Sequence, residues 1–170
     1  EARDGRQVSF GMREFRAKGR QFAINGRPTF LRGKHEGLVF PITGYAPTDK
    51  ESWLRAFRIA KTYGINHYRF HTCTPPKAAF EAADALGIYL QPEVPVWNMI
   101  GYGKFSEYDE WCRSEAEHII REFGNHPSFV MMSMINEAPG GPELVAHLKS
   151  LDSRHLYIHG TNSTRDRVVP

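Results

Sequence analysis

The strongest constraint on how this 170-residue chain can fold is the run Phe129–Asn136, where one hydroxyl and one amide stand among apolar side chains. A run that short and that apolar suits a strand covered on both faces, as in a parallel sheet wrapped by helices. It breaks into Asn136-Glu137 and then Ala138-Pro139-Gly140-Gly141, a loop, because Pro and Gly cannot continue a strand. The carboxylate of Glu137 is thereby predicted where a buried strand leaves the core. In barrels of parallel strands that C-terminal end carries the chemistry. Taken alone, Glu137 equally suits a helix cap or a partner for an arginine.

The elements on either side repeat one pattern. Residues 1–27 read as a β-hairpin, Met12–Ala17 with Gln21–Ile24 around Lys18-Gly19, followed by a tight turn at Asn25-Gly26. Thr29–Arg32 is expected as the first short apolar strand, closed by Gly33, with Lys34-His35-Glu36 after it and a Gly- and Pro-rich loop to Pro47. Thr48-Asp49-Lys50-Glu51 reads as a capping box for a helix with Trp53, Leu54, Phe57 and Ala60 on one face, stopped by Gly64. The second strand, Ile65–His71, alternates so that His67, Arg69 and His71 share a face and Asn66, Tyr68 and Phe70 the other. Charged or chargeable groups on a buried strand are costly unless they line a polar cavity.

Pro75-Pro76 opens a second helix that runs to Leu86 and ends at Gly87. Ile88–Val94 is a third strand, leading to Pro95, Trp97 and Asn98. Ser106 and Asp109 cap a third helix, with Trp111, Ile119 or Ile120, and Phe123 as its inward stripe and Gly124 as its stop. A helix near Glu143–Leu151 and a strand at His155–Gly160 complete the order β-α-β-α-β-α-β-α-β. Helical crossovers between successive strands require a parallel sheet. Phe30 to Tyr157 holds four such units at about 32 residues each, close to the spacing of an eight-unit (β/α) barrel. The fold class is therefore α/β, a parallel (β/α)8 barrel of which the first four to five units are present.

Composition narrows the partners. A net charge of +3 with scattered Lys and Arg gives no basic patch for nucleic acid. No apolar run reaches the roughly 20 residues of a membrane span. Cys73 and Cys112 form neither a disulfide framework nor a zinc spacing and read as small buried thiols.

Several phrases together resemble the barrel of family 2 glycoside hydrolases, the β-galactosidase and β-glucuronidase group. They are Phe22-Ala23-Ile24-Asn25-Gly26-Arg27-Pro28 with Leu31-Arg32-Gly33, Gly64-Ile65-Asn66-His67-Tyr68-Arg69, and Ala82-Ala83-Asp84-Ala85-Leu86-Gly87-Ile88. Asn125-His126-Pro127-Ser128 and Ser133-Met134-Ile135-Asn136-Glu137 follow in the family's order and spacing.

The resemblance implies a retaining glycosidase acting on oligo- or polysaccharides, with Glu137 as general acid/base. A carboxylic acid there would protonate the glycosidic oxygen and then deprotonate water. Asn136 would hold the sugar hydroxyl beside the anomeric carbon, and both residues serving one pocket requires a bulge or turn. Arg69 matches the arginine that orients the nucleophilic carboxylate, the alternative being an ion pair in the barrel floor. His71 lies one residue earlier than the histidine of the Arg-x-x-His-x-Pro pattern, so a sugar contact and a core histidine both stand. His35 and Glu36 match a His-Glu that lines the site, against plain loop residues. Glu93 and Trp97 offer an acid and an aromatic platform, with a supporting role for Glu93 as the alternative. A metal at Glu93, His71 and Glu137 lacks an H-x-H or H-E-x-x-H spacing, so neither metal nor cofactor is expected.

The family's nucleophile is a second Glu on the seventh strand, which lies beyond Pro170. The remainder of a parent chain is therefore an expected partner, residues 1–27 being a lead-in and 28–170 part of the catalytic barrel. With first and fifth strands as open edges, and Phe30, Arg69, Glu137 and the Met-rich strand facing inward, the isolated chain is expected to be inactive and either to self-associate as a homo-oligomer or to need the remainder of the parent chain to fold. The rival readings are a carbohydrate-binding pseudo-enzyme and a metal-dependent barrel hydrolase.

Overall fold

The computed structural model describes residues 4–5, 7–97, 106–134, 136, 142–158 and 168–169. Its first element is a three-stranded antiparallel sheet, β1 (Phe15–Lys18), β2 (Gln21–Ile24) and β3 (Arg27–Thr29). The turn between β2 and β3 is Asn25-Gly26, with φ of 49° and 76°. Two successive positive φ angles match the twist of a tight hairpin, and Asn and Gly are the residues that accept them. The sheet is shorter at its start than the hairpin expected from Met12. Before Phe15 the chain leaves the sheet: the Gly11 amide donates to Asn125 O at 3.2 Å.

The first barrel strand is β4 (Gly33–Glu36), not Thr29–Arg32. Thr29 still belongs to β3, and residues 30–32 cross to the barrel with Phe30 exposed rather than facing inward. The Asn66 side chain holds this crossing, accepting from Arg32 N at 2.8 Å and donating to Phe30 O at 2.9 Å. Gly33 opens β4 because His67 presses on it; a Cβ there would lie 2.8 Å from the imidazole Nδ1.

From β4 the sheet runs parallel through β5 (His67–Phe70) and β6 (Tyr89–Gln91), with Gly33 opposite His67 and His67 opposite Tyr89. Pro92 has no amide to donate and interrupts the ladder. Parallel bridges on either side of it, Leu90 with Phe129 and Glu93 with Ser133, join β6 to β7 (Met131–Ser133). Next to it lies β8 (Leu156–Ile158), also parallel. The edge of β8 is not open: β9 (Val168–Val169) pairs with it antiparallel.

Helix α1 (Lys50–Thr62) begins one residue later than the box at Thr48 implies. Asp49 is its cap, accepting from the Ser52 amide at 2.8 Å, so the cap-to-third-residue bond starts at the carboxylate. Trp53, Leu54, Phe57 and Ala60 are buried as the periodicity required. Trp53 and Phe57 meet Phe70 and Tyr68 on the outer face of β5. Each such buried aromatic contributes roughly 1.5–3 kcal/mol from area alone. Helix α2 (Lys77–Leu86) ends at Gly87, whose φ of 68° gives the left-handed cap.

In α3 (Ser106–Phe123), Asp109 falls in the first turn, where a carboxylate complements the helix dipole. The inward stripe is Cys112, Ala116, Ile119 and Ile120, with Phe123 packed beside it. Trp111 is not part of it and is 47% exposed. It shares its side of the helix with Glu115, His118 and Glu122, and a stripe through Trp111 would bury those charges. Helix α4 (Pro142–Leu151) packs Leu144, Val145 and Leu148 inward.

A second, smaller core closes the N-terminal end of the strands. Phe15, Val130, Met131 and Leu156 are buried together, with Phe22, Ile24, Leu31, Tyr89 and Ile158 against them. The lead-in sheet is thus the floor beneath the strands, and the opposite, C-terminal end is left for the polar side chains.

Candidate active site

Alternation on β5 turns Tyr68 and Phe70 into the helix layer and His67 and Arg69 the other way, onto the inner face. Arg69 stands between two residues from later strands. Its Nε donates to Glu93 Oε1 at 2.7 Å and its NH2 to Asn136 Oδ1 at 2.7 Å. Glu93 is 1% exposed, so its charge is almost wholly removed from water and depends on these partners. Its second oxygen, Oε2, accepts from the Thr72 amide at 2.7 Å. Both Glu93 oxygens are thus engaged by Arg69 and the loop after β5, an arrangement that suits a support for Arg69.

Asn136 sits at the end of the fourth barrel strand, bridged to Trp97. It is 5% exposed, and with Oδ1 taken by Arg69 its Nδ2 has no hydrogen-bond partner among the described residues. A buried amide N–H2 left without an acceptor is unfavourable unless something else supplies one. Glu137, the next residue, lies outside the described residues. Alternation alone does not fix its direction from that of Asn136.

Three further candidates form a ledge at the same end. The His35 and His71 rings are 4.7 Å apart, and His71 meets Trp97 edge-on at 6.1 Å. Trp97 is 66% exposed, an aromatic surface offered to solvent. His35 belongs to β4 itself, in register with Arg69, not to a loop after the strand. Glu36, its neighbour, turns the other way: its carboxylate pairs with Lys34 Nζ and accepts from Leu38 N at 3.0 Å. Lys34 Nζ lies 5.2 Å from the centre of the Tyr68 ring, which places that pair on the helix side of the sheet. Burial, with the Glu36 charge second, pushes the Tyr68 hydroxyl up to about 12. Among the described candidates, Glu36 alone is not brought to the cluster.

Below Arg69 lies a polar layer that sequence reasoning found only in part. Gln91 Nε2 donates to Ser133 Oγ at 2.6 Å, and His67 sits beside Gln91. Burial holds the His67 imidazole down at about 4, so it is neutral near pH 7. Thr72 was also missed. It is a β-branched residue at φ 55°, a left-handed conformation that costs of order 1–3 kcal/mol for such a side chain. No spacing rule announces a strained residue.

Cys73 is a poor nucleophile, because burial first and the charges of Glu93 and Glu36 next push its thiol up to about 12. Asp84, His126 and Ser128 resemble a hydrolytic triad in composition only. Asp84 pairs with His126 Nδ1 at 2.6 Å and accepts from Ser128 N at 2.9 Å, while Ser128 Oγ points to the Phe80 carbonyl at 3.4 Å. The serine is tied to α2 and not to the histidine, so the group fastens α2 to the start of the fourth strand. No cluster of three metal-ligating side chains occurs among the described residues.

The fold and this cluster define a class: an arc of a parallel (β/α) barrel with an arginine, a carboxylate and an amide gathered at the C-terminal ends of its strands. Residues 15–169 match the model of glycosyl hydrolases family 2, TIM barrel domain, and the chain belongs to that family. A putative β-glucuronidase of Formosa agariphila is 30% identical over 98% of this chain and 16% of that protein. The β-glucuronidase of Felis catus is 28% identical over 90% of the chain and 25% of its own length. A β-galactosidase of Thermoanaerobacterium thermosulfurigenes is 30% identical over 76% of the chain and 18% of its own length. The solved β-glucuronidase of Parabacteroides merdae superposes with a TM-score of 0.72 at 23% identity, over 88% of this chain and 20% of that one. The chain thus spans roughly a sixth to a quarter of the curated relatives it matches.

Proposed function

We propose that this chain is the first part of the catalytic barrel of a retaining glycosidase that cleaves O-glycosidic bonds of oligo- or polysaccharides. In this reading residues 1–27 are the lead-in and 28–170 carry the first units of the barrel. Glu137 is the general acid/base, and the nucleophilic carboxylate comes from a later strand of the longer protein. Relatives named β-glucuronidase and β-galactosidase favour a β-glycoside as substrate. The observation that carries the reading is Asn136, the residue before Glu137 in sequence, buried with its Oδ1 occupied by Arg69 and its Nδ2 without a partner among the described residues. A donor fixed in that way suits a sugar hydroxyl whose hydrogen bond strengthens in the transition state. Trp97, His71 and His35 supply a surface on which a sugar ring can rest.

The test is Glu137→Gln in the intact protein. Loss of a general acid is expected to slow unactivated glycosides about 10²- to 10⁴-fold and to spare aryl glycosides whose leaving group needs no proton. Equal loss on both kinds of substrate would make Glu137 structural. Mechanism-based labelling of the same protein should modify a carboxylate outside this chain; a label on Glu137 would reverse the assignment.

A further inference from the structure

The loop that leaves β5 grips Glu93 at three points. The Thr72 amide donates to Glu93 Oε2 at 2.7 Å, Glu93 N donates to Cys73 O at 3.0 Å, and Thr74 Oγ1 donates to Glu93 O at 3.0 Å. Thr72 is the strained member, at φ 55° with its hydroxyl donated to the His71 carbonyl at 2.7 Å. A Cβ branch is poorly tolerated in that region, so the surrounding contacts must hold it there. From Thr72 the bonds run onward without a gap: Glu93 Oε1 to Arg69, and Arg69 NH2 to Asn136 Oδ1.

We propose that Thr72 is a positioning residue. Its left-handed backbone fixes the Glu93 carboxylate, and through it Arg69 and Asn136, in the orientation that leaves the Asn136 amide N–H2 free for a ligand at the mouth. The inference rests on the glycosidase reading for its catalytic consequence, but the bond between Thr72 and Glu93 stands apart from that reading.

Two measurements on the intact protein test it. In Thr72→Gly the backbone conformation is unstrained and the thermal midpoint is expected to hold or rise. The loop also gains other conformations, and kcat should fall about tenfold or more with little change in KM, because misplacement acts on the transition state. Thr72→Asn accepts the left-handed region while restricting the loop, and should restore kcat to within about threefold of wild type. Wild-type kcat in Thr72→Gly, or a loss in both variants that only follows a lowered midpoint, would overturn the proposal.

The second measurement is amide hydrogen exchange at Thr72, expected to be slow in the wild type. In Glu93→Gln, Arg69 should claim the one amide oxygen, turning the side-chain NH2 toward the Thr72 N–H and speeding its exchange about tenfold or more. An unchanged exchange rate would overturn the proposal. If the wild-type protein cleaves no glycoside, the functional reading fails, and the exchange measurement alone decides for or against Thr72.

Discussion

Arg69 holds two acceptors at once, and its planar guanidinium fixes the direction of each bond. Its Nε and NH2 both reach Glu93 Oε1, at 2.7 and 2.6 Å, and NH2 also donates to Asn136 Oδ1. Lysine would keep the charge but collapse the fork to a point on a flexible stem, so the buried carboxylate and the amide oxygen lose their fixed orientation. Arg69→Lys is therefore expected to lower kcat/KM about 10²-fold or more while moving the thermal midpoint modestly. A collapse in stability with normal specific activity in the folded fraction would place Arg69 in the core instead. His67, two residues earlier, gives a pH dependence. Its pKa falls from 6.5 to about 4 on folding, chiefly through burial and partly through Arg69, against a raising effect from Gln91. The folded state then binds fewer protons than the unfolded chain in that window. Stability is complete above about pH 6.5 and declines as pH falls toward 4, by roughly 3 kcal/mol if the full shift is expressed. Buried His155 shifts in the same direction. The thermal midpoint measured from pH 7.5 to 4.5 should fall, and His67→Gln should flatten the slope; a slope untouched by that change would remove His67 as its source.

The helices were legible because their faces are long and periodic. Trp53, Leu54, Phe57 and Ala60 mark one side of α1 over more than two turns, and only the cap was misplaced, by one residue. The third helix misled because tryptophan is a strong apolar signal that outweighs two small residues, although Cys112 and Ala116 suit the close approach to the sheet better. The corrected register makes a prediction. Ala116→Asp would bury a charge without a partner and should destabilise by several kcal/mol, whereas Trp111→Ala, at a half-exposed position, should cost less, about 1–2 kcal/mol. Soluble yield and thermal midpoint of the two variants decide between the registers, and a larger loss from Trp111→Ala would restore the original one. Short strands were less legible. The ladder of β4 is chosen by partners far away in sequence, Asn66 and His67, so the apolar residues at Thr29–Arg32 carried a false signal. At the site, Arg69, Glu93 and Asn136 were readable because polar groups at the ends of buried strands stand out. Glu36 was not separable from His35, since adjacent residues on a strand face opposite ways and only the pairing tells which way is inward. Gln91, Ser133 and Thr72 carried no pattern at all.

At the scale of the whole molecule, the lead-in sheet and the barrel are fastened by a device remote from the mouth. Arg13, just before β1, donates through Nε to Pro127 O at 3.2 Å, through NH1 to Arg154 O, and through NH2 to Phe129 O. Its NH2 also lies 2.8 Å from His155 Nδ1. These acceptors stand at the N-terminal ends of the fourth and fifth barrel strands, where a parallel sheet has carbonyls that its own ladder leaves unused. Gly11 runs against the Pro127 ring so closely that a Cβ would overlap it, so the path of the lead-in segment is fixed on both sides of Arg13. Desolvation first and the nearby Arg154 second lower the Arg13 pKa to about 10, which still leaves it charged at neutral pH. A half-buried cation with several carbonyl acceptors is held best while all of them stay in place. Arg13→Met keeps the apolar stem and removes every donor, leaving the Pro127 carbonyl without its side-chain donor and the Phe129 carbonyl with His155 Nδ1 alone. It should destabilise the protein by about 2–4 kcal/mol and speed proteolytic cleavage in residues 7–14. Because the latch sits at the floor and the Arg69 cluster at the opposite end of the strands, specific activity of the folded fraction should stay near wild type. Limited proteolysis, thermal midpoint and an aryl-glycoside assay on the same preparation separate the outcomes. Loss of turnover with an unchanged midpoint and an unchanged cleavage pattern would show that the floor communicates with the mouth and is not simply its foundation.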